Sequence, residues 1–529
     1  MPKSSCKEVY SNVISALLLS DAYSHPTNGI ELLETHISWV LLAGDYAYKI
    51  KKPLALGFLD FSTIESRRFY CEEEIRLNRT WAPEIYIGVV HITRVEGRPT
   101  MGGDGEAIEY AVQMRRFDQV LRLDRQLENG RLKTEDMREL GANIADRHAR
   151  AAAVPPDQRQ RALDLTESQM WDNYSALHSV VGEKLLSSLQ EWTQMQLQVL
   201  RPLIHERFDR GFYRECHGDL HLANLVRLPG GITTFDCIEF SSDLRNIDVA
   251  CDIAFLVMDL ESRGRDDLAA HFINRYLEKS NDYKGIQLFD LYFVYRCLVR
   301  AKVAAIRAGE RDDDESGQRD LADVRRYCEM AARQTSRPRP VLVLMHGLSG
   351  SGKTWISERL MAGLPAIRIR SDLQRKSLFG MHELEKSGSP VAQGIYAPEA
   401  DVAVYRRMSE LAETVLCSGH NVILDATYLH LADRENAIEI ARASGVSAVI
   451  VQTRAPDDEL RRRIASRARR GSDASEADLA VLEHQLQSLQ PLTDEERRHS
   501  ITLDTRDAYA VERLSHSVRR LAQRTAPEA

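Results

Sequence analysis

The segment Gly347-Leu348-Ser349-Gly350-Ser351-Gly352-Lys353-Thr354 constrains this chain more than any other. It fits the spacing G-x-x-x-x-G-K-[ST] and stands between the apolar run Val341-Leu342-Val343-Leu344-Met345 and a helical pattern carried by Trp355, Ile356, Leu360 and Met361. A continuous apolar run bounded by proline and glycine reads as a strand buried on both faces, and such strands belong to parallel sheets covered by helices. The glycines let backbone N–H groups curl around phosphate oxygens, and the helix start adds positive potential. At this spacing Lys353 reaches the β- and γ-phosphates of ATP and Thr354 binds Mg²⁺.

The residues downstream extend that chemistry. A second strand is expected to end near Ile369, followed by Arg370-Ser371-Asp372-Leu373-Gln374-Arg375. Ligands of open α/β sheets bind outside the carboxyl ends of the strands, so Asp372 is placed to take a proton from an acceptor hydroxyl while Arg375 or Arg370 holds a substrate anion. The plainer role for Asp372 is a helix N-cap. A third strand, Asn421 to Asp425, ends in a carboxylate suited to a Mg²⁺-bound water, and Ala426-Thr427 follows. Beyond a strand at Ala448 to Gln452 come Arg461, Arg462, Arg463, Arg467, Arg469 and Arg470. So dense a cluster reads as a lid that clamps the transferring phosphoryl group, with Arg463 and Arg467 as its catalytic members, or as a solvated basic helix face. From Pro340 to Leu503 these features resemble the P-loop kinases that include polynucleotide-kinase-like and zeta-toxin-like domains. The resemblance implies transfer of the γ-phosphate to a hydroxyl with Asp372 as base.

A second signature lies upstream. His217-Gly218-Asp219-Leu220-His221-Leu222-Ala223-Asn224 precedes Phe235-Asp236-Cys237-Ile238-Glu239-Phe240. An acid, an amide five residues later and a carboxylate after a short hairpin form the arrangement of a kinase-type site: Asp219 accepts the substrate proton, while Asn224 and Asp236 hold Mg²⁺. His217 and His221 read as hydrogen-bonding struts. Asp248 and Asp252, four residues apart on an apolar helix, are expected to tie down the catalytic loop. The segment resembles the aminoglycoside phosphotransferase and choline kinase family. That resemblance implies that Lys49 is the strand lysine pairing the α/β-phosphates, with Lys51 on the same face. It also implies an orienting glutamate on the helix from Thr63 to Trp81; Glu73 is the choice, flanked by Glu72 and Glu74. No G-x-G-x-x-G loop precedes Lys49; Glu34-Thr35-His36-Ile37-Ser38 stands there instead.

Between Ala308 and Pro340 the composition shifts to the charged run Gly309 to Gly317, one short helical stretch from Leu321 to Ala332, and Arg337-Pro338-Arg339-Pro340. Prolines and exposed charge mark domain boundaries. The expected organisation is a kinase-like domain over 1–334, with a strand-rich small lobe at about 25–120 and a helical lobe at about 121–334, and a P-loop domain over 335–529. The fold class is thus α+β and α/β in two domains. The whole chain resembles the bacterial bifunctional aminoglycoside phosphotransferase/ATP-binding proteins, in which these domains are fused in this order. Trp171, Tyr174 and Trp192 read as core at helical spacing, or as the lining of an acceptor pocket.

Composition narrows the partners. A net charge of −8 over 529 residues gives no general attraction to phosphate backbones or anionic lipids, so nucleic acid is a disfavoured partner and a small hydroxyl compound the favoured one. Eight cysteines without metal spacing, no secretion signal and no apolar run of spanning length imply reduced thiols, no membrane and a cytoplasmic location. Three functions fit: two ATP-dependent phosphotransfer sites, a catalytic P-loop domain with a regulatory kinase-like half, or a 5′-hydroxyl polynucleotide kinase.

Overall fold

The computed structural model describes residues 12–56, 59–310, 315–390, 392–470 and 475–524. The chain forms two compact units: one comprises 1–136, 147–169 and 202–259, the other 137–146, 170–201 and 260–529.

In the first unit, Ser38–Ala43 and Tyr46–Lys51 pair antiparallel about Gly44-Asp45, with Ala43 opposite Tyr46. Gly44 sits at φ +58, where a Cβ would lie 2.5 Å from the Pro26 carbonyl oxygen, so this turn requires glycine. The hairpin belongs to a six-stranded antiparallel sheet in the order Ile30–Glu34, Ser38–Ala43, Tyr46–Lys51, Glu109–Arg115, Tyr86–Val95, Arg98–Met101. Across it packs the helix Ile64–Trp81, started by Thr63, whose hydroxyl accepts the Ser66 N–H at 3.1 Å. Its sheet-facing side buries Cys71, Glu74, Ile75 and Asn78. A buried glutamate in this stripe requires cationic partners on the sheet. The strands Tyr213–Glu215 and Asn246–Asp248 pair with each other, and Leu225–Leu228 forms a hairpin with Gly231–Thr234. Together they fix the ends of the 217–240 segment.

The second unit is built on five parallel strands in the order Ala366–Arg370, Asn421–Asp425, Val341–His346, Ser447–Arg454, Ser500–Asp504. Every residue of Val341–His346 is buried, as its unbroken apolar run predicts. The edge strand Ala366–Arg370 does not end in solvent. The helix Asp266–Ser280 lies along it, and the Asn274 amide pairs with the strand backbone, donating to the Ala366 carbonyl at 2.8 Å and accepting the Arg368 N–H at 2.6 Å. Ala270 of that helix joins the apolar cluster of Val343, Met345 and Ile356. Arg368 on the strand donates to Glu278 on the helix at 2.9 Å, both fully enclosed. Sheet and helix therefore share one core, and this compact unit begins at 260 for its main segment rather than at the proline-rich stretch near 335. The charged run expected as a linker is helical at both ends: Phe289–Glu310 continues through Gly309, and Glu315–Thr335 starts six residues before the expected Leu321. Residues 311–314 of that run lie outside the described residues.

Candidate active sites

The P-loop site forms where the Val341–His346 strand turns into the helix Lys353–Gly363. Gly347 (φ +146) passes so close to Thr453 that a Cβ would meet its carbonyl oxygen at 2.6 Å. The Lys353 ammonium donates to the Gly347 and Leu348 carbonyls, each at 2.9 Å, which curls the loop around its own lysine. Burial lowers the Lys353 ammonium to about 8, against the upward pull of Asp425 and Asp372. One amide of the loop, Ser349 N–H, is occupied by the Gln485 side-chain oxygen at 2.8 Å.

Asp425 ends its strand 5% exposed and accepts from Ser357 Oγ at 3.0 Å, three residues past Thr354. Arg368 approaches the same carboxylate at 4.0 Å. Thr354 and Asp425 offer the hard oxygen donors that Mg²⁺ requires, and among the described residues one carboxylate oxygen of Asp425 is left without a hydrogen bond. The helix Ser371–Leu378 has Arg370 as its N-cap, so Asp372 occupies the second helical position instead of the cap. Among the described residues the Asp372 carboxylate has no hydrogen bond or ion pair within the chain, and it lines the same cleft of about 900 Å³ as Lys353 and Thr354.

The basic residues divide. Arg375, 7% exposed, gives its guanidinium to Asp401 at 2.6 Å and the Ile395 carbonyl at 2.7 Å. Arg463 leans onto the phosphate loop, donating to the Gly350 carbonyl at 3.3 Å and Thr505 Oγ1 at 2.8 Å, while its Nε is paired with Glu459. Arg467 lines the cleft and donates to the Ala477 carbonyl at 2.7 Å. Arg461 is turned to Asp457 and Glu483, away from a lid role in this conformation.

The second constellation lies in the first unit. Lys49 Nζ meets Glu74 Oε1 at 2.9 Å and Asp236 Oδ1 at 2.5 Å; Lys51 Nζ meets Glu74 Oε2 at 2.8 Å and also Glu239. Glu73 is not the partner of Lys49. It faces the other way on its helix and pairs with Arg76 and Arg245, because one residue along a helix turns the side chain by about 100°. Burial works against the Lys49 ammonium, but Asp236, Glu74 and Glu239 outweigh it and hold it well above its usual range. Burial would raise Glu74, yet Lys49 and Lys51 hold it low. Burial leaves Glu239 raised despite Lys51.

Asp219 stands beside this cluster's loop. Asn224 donates to the Asp219 carboxylate at 2.9 Å and to its carbonyl at 3.0 Å, and His221 lies 3.2 Å from the same carboxylate. The loop is pinned from below by Asp252, which accepts the His217 and Gly218 N–H groups at 3.2 and 2.9 Å, and His217 Nε2 meets the Phe235 carbonyl at 2.9 Å. Asp248 does not join Asp252 in that task; it accepts two bonds from Arg207 at 2.7 and 2.8 Å. Asp236 sits at φ +62, a left-handed conformation that Asp tolerates better than most residues, and its N–H donates to the Tyr86 hydroxyl. The turn before Lys49 is tight and closed: Thr35 N–H donates to the Ser38 carbonyl and Ser38 N–H to Thr35 Oγ1, both at 2.9 Å. Tyr174 is core, its hydroxyl bonded to the Leu189 carbonyl and Thr193.

Two family models match: the phosphotransferase enzyme family over residues 109–289 and an AAA domain over residues 342–492. The uncharacterized protein Rv2004c of Mycobacterium tuberculosis is 30% identical over 473 residues, covering 87% of this chain and 91% of that protein. The chain belongs to the same family, in which a phosphotransferase domain is fused to a P-loop domain. Among solved structures, the amicoumacin kinase hAmiN is similar with TM-score 0.40 at 15% identity, covering 62% of this chain and 96% of that one. A gluconokinase from Sinorhizobium meliloti 1021 is similar with TM-score 0.27 at 20% identity, covering 36% and 97%. As a member of this fused family the chain is a kinase-type phosphotransferase with ATP as its donor. No helix among the described residues is long and apolar enough to cross a membrane.

Several residues at the two sites escaped the sequence reading. Ser357, one turn beyond Lys353, could have been found from its i+4 spacing. Glu239 and Lys51 could have been paired by asking what neutralises a second buried lysine. Nothing local marks Gln485, Asp401 or Asp433, which reach the cleft from distant segments.

Proposed function

We propose that the chain transfers the γ-phosphate of Mg²⁺·ATP to hydroxyl groups of small-molecule acceptors at two sites, one built around Lys49 and Asp219 in the kinase-like module and one around Lys353 and Asp372 in the P-loop module. The observation that carries this reading is the unengaged Asp372 carboxylate in one cleft with Lys353, Thr354 and Asp425. In that cleft Asp372 takes the proton of the acceptor hydroxyl as its oxygen attacks the γ-phosphorus. Lys353 balances the β- and γ-phosphate charge, and Arg463 and Arg467 stabilise the charge of the transition state. Thr354 and Asp425 would hold Mg²⁺, which neutralises phosphate charge when bound. In the kinase-like module Asp219 is the base, Lys49 with Glu74 orients the phosphates, and Asn224 and Asp236 would hold the metal.

The closed turn at Thr35 to Ser38 favours a second reading, in which the kinase-like half only binds nucleotide, because two of its amides are already used inside the turn. The test is transfer from labelled ATP into a metabolite extract by the wild type, Lys353→Ala and Asp219→Ala. Two distinct sets of labelled products, one lost in each variant, support two active sites. An Asp219→Ala pattern identical to wild type replaces the first reading by the second. No label in any product from the wild type refutes both.

A further inference from the structure

The hydrogen bonds around Asp236 give a task to two residues outside the transfer chemistry; the assignment rests on the reading of Asp236 as a metal ligand of the kinase-like half. The Asp236 side chain is 45% exposed, whereas its backbone stands at φ +62, a conformation that residues other than glycine hold only where the surroundings enforce it. Asn224 spends its amide nitrogen on Asp219, and among the described residues its side-chain oxygen is unengaged. With the Asp236 carboxylate it makes a pair of hard oxygen donors of the kind Mg²⁺ takes.

Four consecutive N–H groups run through this turn, and all four are taken. Phe235 N–H donates to the Asn224 carbonyl at 2.9 Å and Ile238 N–H to the His217 carbonyl at 3.1 Å, both on the loop that carries Asp219. The two between them go elsewhere. Asp236 N–H donates to the Tyr86 hydroxyl at 3.0 Å and Cys237 N–H to the Asn78 side-chain oxygen at 2.9 Å. The outer pair ties the turn to the catalytic loop, and the inner pair ties it to the lobe of Lys49 and Glu74.

Both inner acceptors are set by that lobe. Asn78 lies one turn beyond Glu74 on the helix Ile64–Trp81, and its nitrogen donates to the Glu74 carbonyl at 3.0 Å. Tyr86 opens its strand opposite Met114, which stands opposite Ala47, two residues before Lys49. Tyr86 is 3% exposed and Asn78 0%, so water does not replace either acceptor. Phe and Leu would fill the same space; a polar group at such a depth is costly unless bonded, and both spend their oxygen on one turn.

We propose that Tyr86 and Asn78 are positioning residues of the metal site. They hold the two peptides that flank Asp236 in the left-handed turn, so the carboxylate reaches the ion by leaving Lys49 through a side-chain rotation, with no change of backbone. Metal affinity then scales with the fraction of molecules in which the turn is formed.

The test uses the full chain carrying Lys353→Ala, so that nucleotide binding reports on the kinase-like half. Calorimetry gives the Kd of a non-hydrolysable ATP analogue with Mg²⁺ and with EDTA, and their ratio is the contribution of the metal. Hydrogen exchange on a peptide spanning 235–240 reads the turn with no ligand added. Tyr86→Phe keeps the ring and removes one acceptor. It is expected to speed exchange of that peptide about tenfold, to weaken the Kd with Mg²⁺ about tenfold and to leave the Kd in EDTA within about twofold. Asn78→Leu is expected to do the same through Cys237 N–H. Met114→Leu alters the packing beside Tyr86 without touching a bond of the turn and is expected to change neither measurement. Unaltered exchange in Tyr86→Phe, or a Mg²⁺ ratio that it keeps while Asp236→Ala loses it, overturns the inference alone. An equal loss of affinity with Mg²⁺ and in EDTA also overturns it, because a loosened lobe does that. A Mg²⁺ ratio untouched by Asp236→Ala, or no analogue binding by the Lys353→Ala chain, refutes the reading of this half, and the inference falls with it.

Discussion

Asn274 offers the sharpest test of how the second unit is held together. It is 3% exposed, and its side chain stands where a further strand would pair, satisfying the Ala366 carbonyl and the Arg368 N–H at 2.8 and 2.6 Å. Asn274→Ala strands two backbone groups on residues that are 5% and 2% exposed. Each unsatisfied buried group costs roughly 1–3 kcal/mol, so the pair costs about 2–6 kcal/mol, and entry of a water brings the expected loss to about 2–4 kcal/mol. At 1.36 kcal/mol per factor of ten, that is roughly 30- to 900-fold faster opening of the edge strand. Hydrogen exchange read by mass spectrometry on a peptide spanning Ala366–Arg370 measures it directly. Global melting is the poorer probe, because a two-unit chain need not unfold in one step. Asn274→Asp keeps the acceptor for Arg368 but sets a carboxylate against the Ala366 carbonyl, and it is expected to be at least as damaging. Asn436→Ala, which removes one exposed bond to Ser409, serves as the neutral control. Exchange at the edge strand changing less than about threefold in Asn274→Ala would refute the claim that this amide seals the sheet.

Three further outcomes are expected. In the nucleotide-free chain Lys353 loses its proton as pH rises through about 8, whereas bound ATP favours the ammonium; the Kd for ATP measured by calorimetry should weaken up to about tenfold per pH unit above 8, and Lys353→Arg should flatten the profile. Glu74→Gln should lower transfer at the kinase-like site by about 100-fold or more, while Glu73→Gln, which disturbs only Arg76 and Arg245, should stay within about threefold in the same labelled-ATP assay. Arg207→Met leaves Asp248 buried and unpaired, a loss of about 3–5 kcal/mol in urea unfolding followed by hydrogen exchange of the first unit, and adding Asp248→Leu should recover most of it.

What could be read in the sequence follows from how far apart the interacting residues lie. The phosphate loop, the Asn421–Asp425 strand and the 217–240 segment are local: their signals lie close together in the chain, and the structure forms the strand, loop and helix of 341–363, the strand Asn421–Asp425 and the short turn and hairpin of 222–234 there. The choice among Glu72, Glu73 and Glu74 was not local. It depends on the rotation of one helix against a sheet, and only packing shows that Glu74 shares the buried stripe with Cys71 and Asn78. The charged run at 309–317 looked like a linker because two helix ends meet there, each ending in charge, and end signals do not distinguish a hairpin of helices from a domain boundary. Asp401 and Arg375 are 26 residues apart and Asp433 lies further on, so the sequence does not show that all three line one cleft.

The double salt bridge around Glu74 has a consequence for control. Protein kinases are switched by moving the helix that carries this glutamate, making and breaking its bond to the strand lysine. Here one carboxylate holds two lysines, both buried, so withdrawing it would break two buried ion pairs at once, leaving Lys49 to Asp236, Lys51 to Glu239 and Glu74 with neither of these partners. A charge left without its partner in such surroundings costs several kcal/mol. Moving the helix Ile64–Trp81 away from its sheet therefore costs two buried ion pairs where the single lysine–glutamate pair of a protein kinase costs one.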